Sequence, residues 1–488
     1  MRVVAGRRPA PAGAGSASPR LPAGARFTLA LAAGKAAGTA SRMLGTGGGT
    51  CFPGTVARRI DPRVLQKAAA ASGARKVIVS GSNGKTTTCR MLAALAEASG
   101  LLVTQNRSGS NLLHGVTSAA VRGTGLRGRM AAQLLLLEVD EATVRLVAPE
   151  VRPDTLLVTN LFRDQLDRFG ELYSVAGKLE TAISALPASA TVVLNGDDPL
   201  VASLAPEAAA RRLYYGIRAG GSGGQVPEHA ADTVRCVRCQ HPLSYRAVHL
   251  SHLGDYQCPG CGHGRPPLDV AVTAIRPSPG AGAEITVDTP AGTFPLRLPA
   301  AGMHEVYNAA AALAGGMTLS PGRPLPPATA RDALAGLRPA FGRLEQIQAG
   351  SRRVVLAFVK NPASYNATLR DVLHQPGRKH VLAAHSNTSV DGEDFAWLWD
   401  VDLERLVPRL ASLTASGTRA EEVALRFKYA GADPALMRVQ PGRADALDAA
   451  LAATTPGEPL YIFAGYTPMR ELRGIMQRRG WAPSWEEQ

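Results

Sequence analysis

Val77-Ile-Val-Ser80-Gly81-Ser-Asn83-Gly84-Lys85-Thr86-Thr87-Thr88 decides the fold. Its first four residues form a short apolar run, the next five a loop punctuated by two glycines. From Thr86 to Ser99 the apolar Met91, Leu92 and Leu95 recur at helical spacing. The order is strand, loop, helix. A phosphate needs N–H donors at close approach, which glycine permits, and the positive end of a helix. Lys85 can then reach the β- and γ-phosphates while the Thr86 hydroxyl serves Mg²⁺. The usual G-x-x-x-x-G-K-[ST] would place its first glycine at Val79, so Gly81, Asn83, Gly84, Lys85, Thr86 and Thr87 make a variant of that loop. The competing reading is a glycine-rich turn with an incidental lysine, and the flanking strand and helix argue against it.

Outward from the loop, Leu134-Leu-Leu-Leu-Glu138-Val-Asp140-Glu141 is an apolar strand that ends in carboxylates. Beside a phosphate loop, Glu138 is placed to ligate a nucleotide-bound Mg²⁺; alone, the same acids serve equally as a solvated strand end. Further strand-like runs begin at Thr155 and Thr191, with a helical stretch from Tyr173 to Ala185 between them. Continuous apolar strands alternating with helices predict a doubly wound parallel sheet. A helix is expected over 61–72. After a Gly-rich, Cys-bearing stretch, alternation resumes from about Val354 through His380–Ala384, Ala420–Ala430 and Pro459–Phe463, which predicts a second, smaller α/β domain.

The 488 residues allow two to four domains. The chain has 54 Lys and Arg against 39 Asp and Glu, but residues 1–76 hold 13 of the basic residues and one acid, Asp61. A nucleic-acid enzyme carries its basic footprint on its folded domains, so no nucleic-acid partner is expected. Residues 1–41 read as a basic flexible leader. Phe27–Ala40 is apolar but is interrupted by Gly34, Lys35 and Gly38, too short to span a bilayer, and it only loosely imitates a secretory signal. The expected compartment is the cytoplasm.

Cys236-x₂-Cys239 and Cys258-x₂-Cys261 are separated by eighteen residues. Two such pairs close a tetrahedral thiolate site with no open position, and thus predict a structural Zn²⁺ ribbon. Disulfides or a redox pair are the alternatives, disfavoured in a reducing compartment. His263 is expected to be a bystander.

Taken together, these motifs resemble the Mur ligases, whose phosphate loop is G-T-x-G-K-T-T. The resemblance runs through Glu138-Val-Asp-Glu141, Thr159-Asn160…Asp164-Gln-Leu-Asp167-Arg168-Phe-Gly170, Asn195-Gly-Asp-Asp-Pro199, Gly302-Met-His304…Asn308 and Gly342-Arg343-Leu-Glu345. Within the family, the Cys₄ insertion, the Arg163–Gly170 run and Val359-Lys360-Asn361-Pro362 are similar to the MurT type. The resemblance implies a Mur-ligase-like P-loop ATPase domain over 42–340, with a zinc-ribbon insertion at 230–268, and a C-terminal Rossmann-like α/β domain over 341–488. It implies ATP and Mg²⁺ as cofactors, Asn308 near the adenine and Arg343 from the hinge before the C-terminal domain. Lys178 matches either the carbamylated lysine of relatives or a surface lysine.

The implied reaction is ATP-dependent amidation of the D-glutamate α-carboxylate in the lipid II stem peptide, at the inner face of the cell membrane. Where Mur ligases carry D-x-A-H-N-P, this chain has Ala357-Phe-Val-Lys360-Asn361-Pro362, which suits ammonia better than an amino-acid nucleophile. The sequence holds no G-x-C-x-G, and its one G-x-S-x-G string, Gly220-Gly-Ser222-Gly-Gly224, falls in the Gly-rich, Cys-bearing stretch with no helix-like run behind it, so no nucleophile elbow is expected. Ammonia would then come from a GatD-type glutaminase partner, whose triad is completed by an aspartate of this chain: Asp394, with Asp391 second. The remaining alternatives are a folylpolyglutamate-type ligase on a soluble substrate and a non-catalytic ATP-binding zinc-ribbon scaffold.

Overall fold

The computed structural model describes residues 23–43, 50–106, 110–163, 171–218, 227, 231–278, 282–299, 302–320, 322, 324–337, 344–388 and 391–483. Its larger sheet contains β1 (Arg75–Ser80), β2 (Val103–Gln105), β3 (Leu134–Glu138), β4 (Thr155–Val158), β5 (Thr191–Asn195), β6 (Arg211–Ile217), β9 (Val270–Ser278), β10 (Gly282–Thr289) and β11 (Gly292–Leu298), ordered β11-β10-β9-β6-β5-β4-β1-β3-β2. From β2 to β9 neighbours run parallel, and β9, β10 and β11 form an antiparallel wing.

The apolar runs are continuous because both faces of the parallel strands are covered. Val77 and Val79 point to the layer holding Lys85–Ala98 and Met303–Gly316, with Leu92, Leu95 and Ala310. Ile78, Leu135 and Leu156 face the opposite layer, with Val116, Val147 and Leu179. Between β6 and β9 the chain leaves the sheet to form the hairpin of β7 (Ser244–Leu250) and β8 (Leu253–Gln257), with Cys236 and Cys239 before it and Cys258 and Cys261 after it.

A second sheet is ordered β12-β13-β17-β14-β15-β16, from β12 (Glu345–Ala349), β13 (Arg352–Phe358), β14 (Lys379–Ala384), β15 (Leu410–Ser416), β16 (Met437–Val439) and β17 (Pro459–Ala464). Only β12 is antiparallel to its neighbour. Helices Pro362–His374 and Ala420–Tyr429 cover one face, Arg443–Ala453 and Tyr466–Arg478 the other.

One expectation at the N-terminus needs correction. The expected leader is helical from residue 23: helix Ala23–Met43 packs on Phe52–Ile60, burying Ala30 and Leu31 with Ala57 and Val121. Gly34, which was read as an interruption, is what lets the helices meet: a β-carbon there would lie 3.0 Å from the Pro53 carbonyl. The helix expected over 61–72 is present as Val64–Ala71, and a separate helix, Phe52–Ile60, precedes it. Pro62 disfavours helix at Asp61, whose side chain accepts from Arg63 N (3.1 Å) and Lys67 Nζ (2.6 Å). Among the described residues no helix is long and apolar enough to cross a membrane.

Leu31 is fully buried, so Leu31→Ala should lower unfolding free energy by about 2–4 kcal/mol in denaturant titration. A loss below about 0.5 kcal/mol, as for a surface site, would refute the packed-helix assignment.

Candidate active site

The phosphate loop is pressed so closely against its surroundings that two positions admit only glycine. Gly81 and Gly84 have φ of 125° and 86°. A β-carbon would come within 2.2 Å of Thr159 Oγ1 at Gly81, and within 2.1 Å of Asn308 Oδ1 at Gly84. The loop is pinned by the end of β4. Asn83 N donates to Asn160 Oδ1 (2.9 Å), Thr159 Oγ1 to Asn83 O (2.7 Å), and Phe162 N to Ser82 Oγ (3.0 Å).

Lys85 opens the helix Lys85–Ala98 and folds back over the loop. Its Nζ donates to Gly81 O and to Glu141 Oε2 (2.9 Å). Burial opposes its charge, but Glu141, Asp140 and Glu138 outweigh that and hold the ammonium above its ordinary pKa. Burial raises Glu138 despite Lys85, and pushes Asp140 up to about 6 with help from Glu141. Burial also opposes ionisation of Glu141, yet Lys85 and Lys360 hold it below the usual carboxylate range. Thr86 Oγ1 donates to Glu138 Oε2 at 2.9 Å, so both expected Mg²⁺ ligands converge on one point. Asn106 grips the Glu138 backbone from both sides at 2.8 Å.

The C-terminal domain enters this site. Lys360 Nζ donates to Ser82 O (2.9 Å) and Asn361 Nδ2 to Asn83 Oδ1 (3.3 Å).

The sequence-predicted Gly81, Asn83, Gly84, Lys85, Thr86, Thr87, Glu138 and Asn308 are therefore brought together. Asn308 sits against the loop itself, Oδ1 3.5 Å from Thr88 Oγ1. Arg343 and the run from Asp164 to Gly170 lie outside the described residues. The reading left four positions without a role. Glu141 was visible only as one acid of a cluster; Thr159 and Asn160 as motif letters without a role; Lys360 as a departure from a pattern.

Cys236, Cys239, Cys258 and Cys261 form a separate cluster, their sulfurs within 4.8 Å of one another. Both C-x₂-C turns repeat one scheme: the first cysteine's N–H donates to the carbonyl five residues on, and its carbonyl accepts from the residue four on. That fourth residue, Gln240 or Gly262, has a positive φ. His263 is tied to Ser203 Oγ at 3.1 Å and supplies no ligand atom to the cluster. The ribbon touches the core through His252, whose ring lies 4.9 Å from Phe162, and through Asp232, which accepts from Arg163 N at 3.0 Å.

Asp391 and Asp394 follow β14. Asp391 uses both oxygens internally, on Thr388 Oγ1 (2.6 Å) and Thr467 N (2.9 Å). Asp394 is exposed and accepts from Ala396 N (2.8 Å).

The whole architecture recurs in solved structures. A pseudomurein peptide ligase type C from Methanothermus fervidus superposes with a TM-score of 0.65 at 20% identity, covering 83% of this chain and 79% of that one. A Mycobacterium tuberculosis folylpolyglutamate synthase complexed with ADP gives 0.61 at 15%, covering 94% and 96%. The fold is thus that of the Mur-type ligases, and residues 79–257 match the Mur ligase middle domain. Residues 358–469 match the MurT ligase C-terminal family. The lipid II isoglutaminyl synthase (glutamine-hydrolyzing) subunit MurT of Staphylococcus aureus strain N315 is 30% identical over 83% of this chain and 88% of its own length. That of Streptococcus pneumoniae strain R6 is 29% identical over 93% and 98%. The chain belongs to the MurT family of Mur ligases.

The raised pKa of Asp140 sets a pH dependence. The native state holds this proton more tightly than the unfolded chain, so the associated stability is present at low pH and lost as pH rises through about 6. Asp140→Asn removes that loss. Its stability relative to wild type should grow between about pH 5 and about pH 7 in urea unfolding, and a gap constant across that window would contradict a desolvated Asp140.

Proposed function

We propose that this chain is the synthetase subunit of a glutamine-dependent amidotransferase that converts the D-glutamate of the lipid II stem peptide to D-isoglutamine. The observation that carries the reading is collinearity: the chain spans 98% of the pneumococcal subunit and so includes both the phosphate-loop sheet and the C-terminal domain. The geometry fits. The Gly81–Thr87 loop cradles the phosphates of ATP, and Lys85, released from Glu141 by a stronger anion, binds the β/γ region. Thr86 and Glu138 would hold Mg²⁺, which supplies charge neutralisation on the phosphates.

An oxygen of the substrate α-carboxylate attacks the γ-phosphorus, and the bond to the β–γ bridging oxygen breaks as ADP leaves. Ammonia then attacks the acyl carbon. The carbon–oxygen bond to phosphate breaks, and inorganic phosphate departs while the nitrogen loses a proton.

Ammonia comes from a GatD-type partner. Cys89 is buried, and burial pushes its thiol up, away from the reactive thiolate. Cys51 is exposed beside Ser110 Oγ at 3.3 Å and lies in no nucleophile elbow. Asp394 is the better candidate to complete the partner's triad, because Asp391 is already committed on both oxygens. We read the second sheet as a Rossmann-like module that presents this loop, and the site of action as the cytoplasmic face of the membrane.

Mass spectrometry of lipid II after incubation with ATP, Mg²⁺ and glutamine should show amidation only when the glutaminase is present. Lys85→Ala should abolish it with the complex intact. Asp394→Asn should lower glutamine-driven amidation by about 100-fold or more while sparing ammonium-driven amidation. Equal loss with both nitrogen sources would place Asp394 elsewhere, and glutamate-dependent ADP formation would favour the soluble-substrate ligase.

The four thiolates fit a structural Zn²⁺, since tetrahedral Zn–S bonds of about 2.3 Å set sulfurs about 3.8 Å apart. Two of the observed separations are 3.4 and 3.6 Å. Elemental analysis should find one zinc per chain, and Cys258→Ser should lose it and lower Tm. Undiminished stability without metal would remove its structural role.

A further inference from the structure

Helices Ala23–Met43, Phe52–Ile60, Val64–Ala71 and Leu113–Gly123 pack into one layer, and that layer is strongly cationic. Residues 23–76 carry nine Lys and Arg against Asp61 alone, and residues 101–133 carry four against no acid. Three of these cations stand close together. Lys35 Nζ donates to Arg122 O at 2.9 Å. Burial, then Arg122, holds the Lys35 ammonium below its ordinary pKa, and burial, then Arg42, does the same to the Arg122 guanidinium. Asp61 is committed to Lys67 (2.6 Å) and Glu150 to Arg58 (2.9 Å). Among the described residues no carboxylate pairs with Lys35, Arg42 or Arg122. Such a cluster repels itself unless an anion from outside the chain answers it.

The same layer ends in exposed apolar side chains. Met43 is 83% exposed, Phe52 51% and Leu112 41%. Gly54 N donates to Ser118 Oγ (2.7 Å), and Cys51 Sγ lies 3.3 Å from Ser110 Oγ, so helix Phe52–Ile60 starts beside the start of helix Leu113–Gly123. A β-carbon at Gly38 would lie 3.0 Å from Pro53 Cγ, and Met43 is little more than one turn further along. The three apolar residues therefore share one end of the layer. It is the catalytic end: Asn111 O accepts from Asp140 N (3.0 Å), and the Asn111 side chain is bonded to Glu138.

We propose that this end of the molecule docks on an anionic bilayer surface, with Met43, Phe52 and Leu112 entering the headgroup boundary and Lys35, Arg42 and Arg122 meeting the lipid phosphates. The choice of occupant rests on the ligase reading above, whose substrate is lipid-linked. Cations flanking exposed apolar side chains are the composition of an interfacial anchor, whereas a nucleic acid would answer the cations and leave Met43 and Leu112 in water. Among the described residues no helix can cross the membrane, so the attachment is peripheral. Docking by the catalytic end turns Glu138 and the phosphate loop toward the leaflet. A peptide tethered to that leaflet then meets the site at a high effective concentration.

Full-length protein is co-sedimented with vesicles of phosphatidylglycerol or of phosphatidylcholine, neither containing lipid II. Wild type should bind the acidic vesicles at least about tenfold more tightly, and the preference should shrink as salt rises. Arg42→Glu with Arg122→Glu, and separately Met43→Ser with Phe52→Ser, should each weaken that binding by about tenfold or more at unchanged Tm. Arg127→Glu with Arg129→Glu is the control. These residues follow the far end of an eleven-residue helix about 16 Å long, beyond the screening length, and should cost less than about threefold. No preference for acidic vesicles, full binding by either test pair, or a larger loss from the control pair overturns the docking face. So does equally tight binding of duplex DNA that ignores Met43 and Phe52, or loss of the glutaminase from the test pairs with vesicle binding intact. Because the vesicles hold no lipid II, docking without any amidation of lipid II would count against the ligase reading alone.

Discussion

A full positive charge on Lys85, buried to 7% exposure, is the constraint around which the site is organised. Such a charge is tolerable only where carbonyls and a carboxylate replace the water it has lost. Gly81 and Ser82 supply the carbonyls and Glu141 the carboxylate. Those groups can be there only if β1 and β3 are parallel neighbours in one register, with Val79 opposite Glu138. The strand-end acids then arrive beside the loop as a group; burial, with repulsion from Glu141, raises Asp140, while Lys85 keeps Glu141 ionised. A phosphate chain in the loop would compete with Glu141 for the same ammonium, so the resting ion pair acts as a stand-in for the substrate's charge.

A second organising point is Arg163. Its guanidinium pairs with Asp232 at the root of the cysteine hairpin and, at 3.2 Å, with Asp400 of the C-terminal domain. The residue before it, Phe162, donates its backbone N–H to the phosphate-loop Ser82 and packs at a tilt against the His252 ring. Three parts of the chain therefore meet at two consecutive residues, Phe162 and Arg163, just past the end of β4. A partly exposed ion pair contributes little stability by itself; its value here is geometric, since it sets where two domains stand relative to the loop.

Much of this was legible in the sequence, for identifiable reasons. β1, β3, β4 and β5 announce themselves because a strand covered on both faces must be apolar throughout, and the loop because only glycine fits against Thr159 and Asn308. The cysteine spacing is dictated by the two turns and was equally plain. β6 was hidden because Arg211-Arg-Leu-Tyr-Tyr-Gly-Ile begins with two charges, and β15 because Leu410-Ala-Ser-Leu-Thr-Ala-Ser is half polar. Helix Ala23–Met43 is built from small residues on every side, so it lacks a clear apolar stripe although it buries Leu31. The site's unassigned members share one property: Lys360 and Ser82 meet across 278 residues, a proximity that no local pattern encodes.

The cysteine hairpin interrupts the sheet at a revealing place. β6 and β9 are parallel neighbours, Tyr215 beside Val270, yet the whole hairpin lies between them in the chain. Closing a loop of about fifty residues costs conformational entropy that grows with the logarithm of its length. A cation held by the two cysteine turns, as proposed above, would remove part of that loop from the search before β9 has to find β6. The antiparallel wing of β9, β10 and β11 can join the sheet only after that meeting. Metal supply during synthesis would then govern how quickly newly made chains mature and how long their open sheet edge stays exposed to aggregation, whatever it does for the finished enzyme.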